Sequence, residues 1–228
     1  EKILTRSAEQ RSDLISGVYE GGLKVWECTY DLLELIEKEG QTFTGKTVLD
    51  LGCGAGLLGI LALKRGARQV YFQDYNSTVI EQLTVSNVIL NLGAEEEEED
   101  DEEDGDDDDE DEVSQHPLVA KCRFFSGDWS TFLDLLIKED KLPKFDTILT
   151  SETIYNTAYY PVFHETLEKL LAPDGLVYLA TKSHYFGVGG GLHLFETFVQ
   201  QKGVFSLDPL WNGDKGLQRH VVVLRFKL

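Results

Sequence analysis

Three glycines at two-residue spacing, Gly52, Gly54 and Gly56, follow directly on the run Val48-Leu49-Asp50-Leu51. Without a Cβ such residues let the chain turn at positive φ and let a ligand approach the backbone closely. The run GLLGILALKRG after them has helical spacing of its apolar residues and stops at Gly66, so the turn should open a helix whose first free N–H groups face that ligand. Strand, glycine turn and helix in this order make a site for a nucleotide-type cofactor. Gly54, Gly56 and Gly59 also spell GxGxxG, the dinucleotide fingerprint, so the turn alone leaves two cofactor classes open. Asp74, 20 positions after Gly54 at the end of a second β-rich run, is placed to accept two ribose hydroxyls in either class.

Three further groups of polar and aromatic residues stand just after predicted strands, where ligands of α/β sheets bind. They are GDW (Gly127, Asp128, Trp129), SETIY (Ser151 to Tyr155) and SHYFGVGGG (Ser183 to Gly191). Asp128 offers a carboxylate to an adenine amino group and Trp129 a ring to stack on it, while Asp128 also suits a helix N-cap. Trp129, like Trp26 on the first helix, suits a core aromatic equally well. Tyr178 to Lys182 matches the YxxxK of short-chain dehydrogenases, but the stretch LVYLATK reads as a strand, where that catalytic pair needs a helix.

Positioning these residues takes alternating elements. Helical patterns cover Val25–Glu39, Leu57–Lys64, Thr78–Asn91, Ser130–Glu139, Tyr160–Leu171 and Leu192–Gln201. Strand patterns cover Thr47–Leu51, Gln69–Gln73, Lys121–Phe125, Phe145–Thr150, Gly175–Lys182, Gly203–Leu207 and Arg219–Lys227. Seven strands interleaved with helices imply an α/β fold, a doubly wound and mostly parallel sheet. Only the turn-rich DPLWNGDKGLQ separates the last two strands, so they should pair as a hairpin and make the last strand antiparallel.

The 228 residues carry a net charge of −20, yet 17 of the 41 acids fall within Glu95–Glu112. The remaining 24 acids against 21 basic residues leave the rest at −3. The tract reads as a disordered, solvated insertion within one domain spanning 1–228, with a docking arm for a strongly basic partner as the sharper alternative. No basic patch interleaved with aromatics appears, which argues against nucleic acid as a direct ligand. No apolar stretch has the roughly 18 residues of a membrane span, so no membrane partner is expected. Cys28, Cys53 and Cys122 are far apart and odd in number, which suits reduced thiols in the cytosol or nucleus and argues against structural zinc. The histidines show no HxxxH or HxxH pair, and no metal is expected. The chain has no methionine and so no initiator; the expectation is a partial or processed chain that lacks an N-terminal region.

DLGCGAG with Asp74, then GDW, then SETIY resembles the seven-strand S-adenosylmethionine-dependent methyltransferases whose motif after the fourth strand is an acid, two residues and an aromatic, here Glu152 and Tyr155. GGLKVWECTYDL and SHYFGVGGG narrow the resemblance to the protein-histidine N-methyltransferases that modify a large-subunit ribosomal protein. It spans Gly21 to Lys227 apart from the acidic tract. The resemblance implies S-adenosylmethionine as cofactor, S-adenosylhomocysteine as product, methylation of the tele nitrogen of a histidine in a basic ribosomal protein, a monomer, and a place in cytoplasm and nucleus including the nucleolus. Carried over by position, Asp50, Gly52, Gly54 and Gly56 would line the methionine end, and Asp74 would hold the ribose, flanked by Tyr75 and Asn76. Gly127, Asp128 and Trp129 would meet adenine, Ser151 would stand beside the cofactor, and Trp26 and Glu27 would close over it. Glu152 would accept an imidazole N–H, with Tyr155, His184 and Tyr185 shaping the pocket. A lysine or small-molecule methyltransferase of the same fold, a non-catalytic acidic chaperone for a basic ribosomal protein, and a nicotinamide enzyme are the alternative readings.

Overall fold

The protein was analysed as a computed structural model, which describes residues 18–93, 117–139, 142–213 and 218–227. The acidic tract 95–112, and with it the expectation of a disordered insertion, lies outside the described residues. Seven strands build one sheet: β1 (Thr47–Leu51), β2 (Gln69–Asp74), β3 (Cys122–Ser126), β4 (Phe145–Ser151), β5 (Leu171–Lys182), β6 (Phe205–Asn212) and β7 (Arg219–Phe226). Their order is β3-β2-β1-β4-β5-β7-β6. The first five run parallel, and β7 is antiparallel to both β5 and β6, as the missing crossover helix requires.

Side chains alternate along each strand and so feed two cores. Leu49, Leu51, Tyr71, Ile148 and Leu179 face one layer; Val48, Phe72, Leu149 and Ala180 face the other. The second layer is closed by α1 (Glu27–Lys38), α2 (Leu57–Lys64) and α3 (77–93), through Leu32, Leu58 and Val88. The first is closed by α4 (Trp129–Lys138), α5 (Tyr160–Leu170) and α6 (Leu192–Lys202), through Phe132, Phe163 and Phe195. Each fully buried phenylalanine is worth about 1.5–3 kcal/mol over an exposed one. Helix α3 begins as Ser77–Val79, widens into a π-helical turn over Ile80–Thr84 and continues as Val85–Gly93.

Both β1 and α2 have the bounds read from the sequence, and the other elements differ at their ends. Helix α1 starts at Glu27, because Trp26 takes an extended conformation (φ −91°, ψ 155°) and its indole N–H donates back to the Gly21 carbonyl at 3.1 Å. Strand β5 reaches back to Leu171, with the Pro-Asp-Gly signal absorbed where the register jumps from Phe145↔Leu171 to Thr147↔Leu176. Strand β6 runs on to Asn212 because β7 gives it a hydrogen-bonding partner, and the irregularity falls between Pro209 and Trp211, where proline has no N–H to donate.

Candidate functional site

A cavity of about 520 Å³ opens at the carboxyl ends of β1, β2 and β4, where the strand order reverses. That is where an open α/β sheet binds ligands, and the volume suits a molecule of nucleoside size. Its floor is the glycine turn. Gly52 sits at φ 69°, and a Cβ there would lie 2.7 Å from the Thr153 methyl, so only glycine fits. The turn's own N–H groups are engaged within the protein: Gly52 donates to Gln73 Oε1, Cys53 to the Gln73 carbonyl, Gly54 to Asp74 and Gly56 to the Cys53 carbonyl. The turn therefore contributes close approach rather than those donors.

Asp74 ends β2, buried, with Oδ2 accepting the Gly54 N–H at 3.0 Å and Oδ1 the Asn76 N–H at 3.3 Å. Burial raises its pKa while those N–H groups pull it down. Each oxygen keeps a lone pair, which fits a pair of ribose hydroxyls. Tyr75 lines the cavity beside it, its phenol raised by burial and by Glu20. On the far side Gly127, Asp128 and Trp129 line the wall. Asp128 caps α4 through the Thr131 N–H (2.8 Å) and hydroxyl (3.0 Å), so the capping role and the lining role coincide. Trp129 lies 4.8 Å from the Phe163 ring, and its indole N–H donates to Gln73 Oε1 at 3.2 Å. Gln73, which the sequence reading did not single out, also donates to the Gly127 carbonyl at 2.8 Å. One buried amide thus ties turn, wall and tryptophan together.

A strap formed by residues 18–26 crosses this edge. Asn76 holds it, accepting the Glu20 N–H at 3.2 Å and donating to the Val18 carbonyl at 3.0 Å. A Cβ on Gly54 would come within 3.1 Å of the Gly22 carbonyl, so strap and turn are in contact. Trp26 lines the cavity; Lys24 lies 4.7 Å and Lys182 5.5 Å from its ring centroid.

The segment after β4 supplies the remaining wall. Ser151 accepts the Thr29 hydroxyl at 3.0 Å. Glu152 lines the cavity at φ 56°, a left-handed conformation uncommon outside glycine. Its Oε1 accepts the Cys28 N–H at 3.2 Å, and its Oε2 lies 3.7 Å from Lys182 Nζ. Lys182 also meets Glu27 at 3.0 Å; burial works against its charge, but the two carboxylates more than offset that and raise its pKa. Tyr155 donates to Glu20 Oε2, and Tyr159 donates to Glu20 Oε1 at 3.3 Å. Burial, helped by Glu20, keeps the Tyr155 phenol far above its usual range and therefore neutral.

Six residues singled out in the sequence do not line the cavity. Asp50 is buried behind the turn on the Gly59 N–H at 2.9 Å, and Gly56 is the left-handed N-cap of α2. Asn76 anchors the strap, and Glu27 points to Lys182. His184 is exposed and edges onto Phe186 at 4.9 Å. Tyr185 packs behind Tyr155 at 6.4 Å, with its hydroxyl 3.1 Å from Thr181 Oγ1. The YxxxK pair lies on β5, where Tyr178 accepts from Gln41 at 2.9 Å and Lys182 is ion-paired, so it forms no dehydrogenase dyad. Among the described residues no group of three or more His, Cys, Asp or Glu is arranged to hold a metal.

A seven-stranded sheet of this order, with a glycine turn and an acid ending β2 around one cavity, defines the methyltransferase class of doubly wound folds. The methyltransferase domain family matches residues 27–207, and this chain belongs to it. Along its full length the chain is 53% identical to the histidine protein methyltransferase 1 homolog of Bos taurus, covering 61% of that protein, and over 96% of its length it is 38% identical to the Dictyostelium discoideum homolog, covering 62%. The chain thus spans about three fifths of the length of these relatives. The crystal structure of magnesium protoporphyrin IX methyltransferase from Synechocystis PCC 6803 with bound SAH superposes with a TM-score of 0.58 at 15% identity, over 99% of this chain and 95% of that one; it supports the fold.

Proposed function

We propose that this domain transfers a methyl group from S-adenosylmethionine to the tele nitrogen of a histidine in a protein, and that the protein is a basic component of the large ribosomal subunit. The observation that carries the reading is the convergence in one cavity of the glycine turn, Asp74, the Asp128–Trp129 wall and the Tyr155–Tyr159 rim; the names of the relatives support the histidine. Gly52 and Gly54 would accommodate the methionine end, Asp74 the ribose hydroxyls, and Asp128 with Trp129 the adenine. When bound, the cofactor supplies an electrophilic methyl on a sulfonium and leaves as S-adenosylhomocysteine.

What remains for the protein is to position the acceptor and exclude water. A histidine with a pKa near 6.5 is mostly neutral at pH 7.4, whereas a lysine near 10.4 must lose a proton at about 4 kcal/mol, from roughly 1.36 per unit. The site therefore needs no strong base for an imidazole; it needs to hold one tautomer. The aromatic rim and the strap meet at Glu20, which accepts from the Tyr155 and Tyr159 hydroxyls beside the cavity.

Labelled S-adenosylmethionine incubated with the chain and large-subunit ribosomal proteins should leave label in tele-methylhistidine on hydrolysis. Label in lysine alone, or client binding without label, would overturn the reading in favour of a lysine enzyme or a chaperone. S-adenosylhomocysteine at about 100 times its Kd should stabilise the fold by about 2.7 kcal/mol, and nicotinamide dinucleotides should not.

A further inference from the structure

Four aromatic rings follow one another from the cavity outward. Trp129 meets Tyr159 at 6.4 Å and 87°, Tyr159 meets Tyr155 at 6.3 Å and 88°, and Tyr155 meets Tyr185 at 6.4 Å and 72°. The first three line the cavity, and the fourth belongs to the loop 183–191 that follows β5. The base of this loop is clamped to the rim. Gly190 donates to the Tyr155 carbonyl at 2.8 Å, and a Cβ on Gly190 would lie 2.4 Å from that carbonyl, so the backbones touch. Two bonds close the loop on itself, Tyr185 N–H to the Gly190 carbonyl at 2.9 Å and Gly189 N–H to the Tyr185 carbonyl at 3.0 Å. The tip is open by contrast: a Cβ on Gly187 or Gly189 would meet nothing within 4 Å. There Phe186 stands 77% exposed with Val188 exposed beside it, and the His184 ring is set edge-on against Phe186 at 4.9 Å. No Asp, Glu, Lys or Arg occurs in 183–191.

We propose that the loop tip, led by Phe186, docks the acceptor protein through an uncharged, apolar segment beside the residue to be methylated; this rests on the reading above that the acceptor is a protein. The occupant follows from where the tip stands. A macromolecular acceptor that puts one side chain into the cavity must lay its neighbouring residues against the rim, and the aromatic series leads from that rim to Phe186. An exposed ring gains by leaving water, and one whose loop is already clamped loses little freedom when it is covered. A loop without charge offers no partner to a phosphate, which favours protein over RNA as the occupant. Phe186 does not line the cavity, so it serves binding of the acceptor and not the methyl transfer itself. Removing binding that is equal in ground and transition states raises KM and leaves kcat alone.

The test sets Phe186→Ser and Phe186→Leu beside the unaltered chain, with labelled S-adenosylmethionine and the proteins extracted from large ribosomal subunits as substrate. In Phe186→Ser the apparent KM should rise about tenfold, while kcat and S-adenosylhomocysteine affinity stay within about twofold. Phe186→Leu keeps an apolar side chain and should hold KM within about threefold of the unaltered chain. An unchanged KM in Phe186→Ser overturns the proposal. So does a loss of kcat or of S-adenosylhomocysteine affinity in place of the KM change, since the ring would then serve the cavity. If Phe186→Ser does not fold, Val188→Ser decides: KM raised about threefold supports the docking, and unchanged KM overturns it. Sedimentation tests the other occupants. A dimer of the unaltered chain that Phe186→Ser dissociates would assign the tip to a second copy, and large-subunit RNA retained by the unaltered chain but not by Phe186→Ser would assign it to RNA; either overturns the proposal. Label in lysine that still depends on Phe186 refutes the histidine reading and leaves the docking standing, whereas label in histidine indifferent to Phe186 does the reverse. No label from the unaltered chain refutes both.

Discussion

Asp50 stands in the glycine-turn motif, yet it lies 1% exposed beneath the turn with its carboxylate on the Gly59 N–H, and burial pushes its pKa up to about 8. Between the ordinary carboxylate range and that value the native chain holds a proton that the unfolded chain has released. Stability from this group therefore falls as pH rises from about 4 to about 8 and levels off beyond, by at most about 1.4 kcal/mol per pH unit. Asp50→Asn keeps an acceptor for Gly59 without the buried charge. Its Tm relative to the unaltered chain should improve steadily from pH 5 to pH 8, and an advantage that shrinks with rising pH would refute this account. A motif can show that an acid belongs at this position; which way it faces depends on the helix packed behind it. Gly59 makes the point, since a Cβ there would lie 2.3 Å from the Phe72 ring, a contact between α2 and β2 that no local spacing encodes. Glu20 and Gln73 escaped the sequence reading for the same reason: their partners are 135 and 56 positions away.

The bounds of β1 and α2 could be read because an unbroken apolar run and a nearly all-apolar helix are both set by burial on every side. The strap could not, since residues 18–26 have no periodicity and owe their course to Asn76 and to the Trp26 indole. Two elements are tied to the site by tertiary contacts that a single substitution can remove. In the π-helical turn of α3, the buried Thr84 hydroxyl donates to the Gly54 carbonyl at 2.7 Å, and a π-turn inside a helix often marks a functional site. Thr84→Val keeps the shape but loses the bond, and should destabilise the fold by about 1–3 kcal/mol while weakening S-adenosylhomocysteine binding; titration calorimetry with chemical denaturation would separate the two effects. At the start of α1, Lys182 holds Glu27 and Glu152 together. Lys182→Met leaves Glu152 without its cation and should cost about 3 kcal/mol, with the fluorescence of Trp26 reporting a looser strap. Wild-type stability in that variant would show that the Cys28 N–H alone suffices to hold Glu152.

The layered sheet and its final hairpin followed from alternation and from the missing helix before β7, so the whole architecture was more legible than the site it carries. The cavity joins Glu20, Asp74 and Tyr155 only because β1 lies between β2 and β4. Parallel strands also sort the connections. Loops leaving β1, β2 and β4 line the cavity, while Gly93 and Pro117, the described residues on either side of positions 94–116, lead into β3 at the opposite edge. Deleting Glu95–Glu112 should therefore leave S-adenosylhomocysteine affinity and kcat unchanged. The KM for a basic protein substrate should rise at low salt and lose most of its salt dependence, as expected if those 17 acids act by steering. A fall in kcat with KM unchanged would place the tract in the chemistry instead.

That separation of edges has an evolutionary reading. Lengthening a connection costs only about 0.6 kcal/mol of closure entropy per doubling, so the amino-terminal edge can gain, lose or recharge sequence while every bond around Asp74 and the glycine turn is left alone. If the acids between α3 and β3 do steer a protein substrate, as the deletion above tests, the cavity edge and that connection could be selected independently, and a lineage could change which proteins it meets without altering the site.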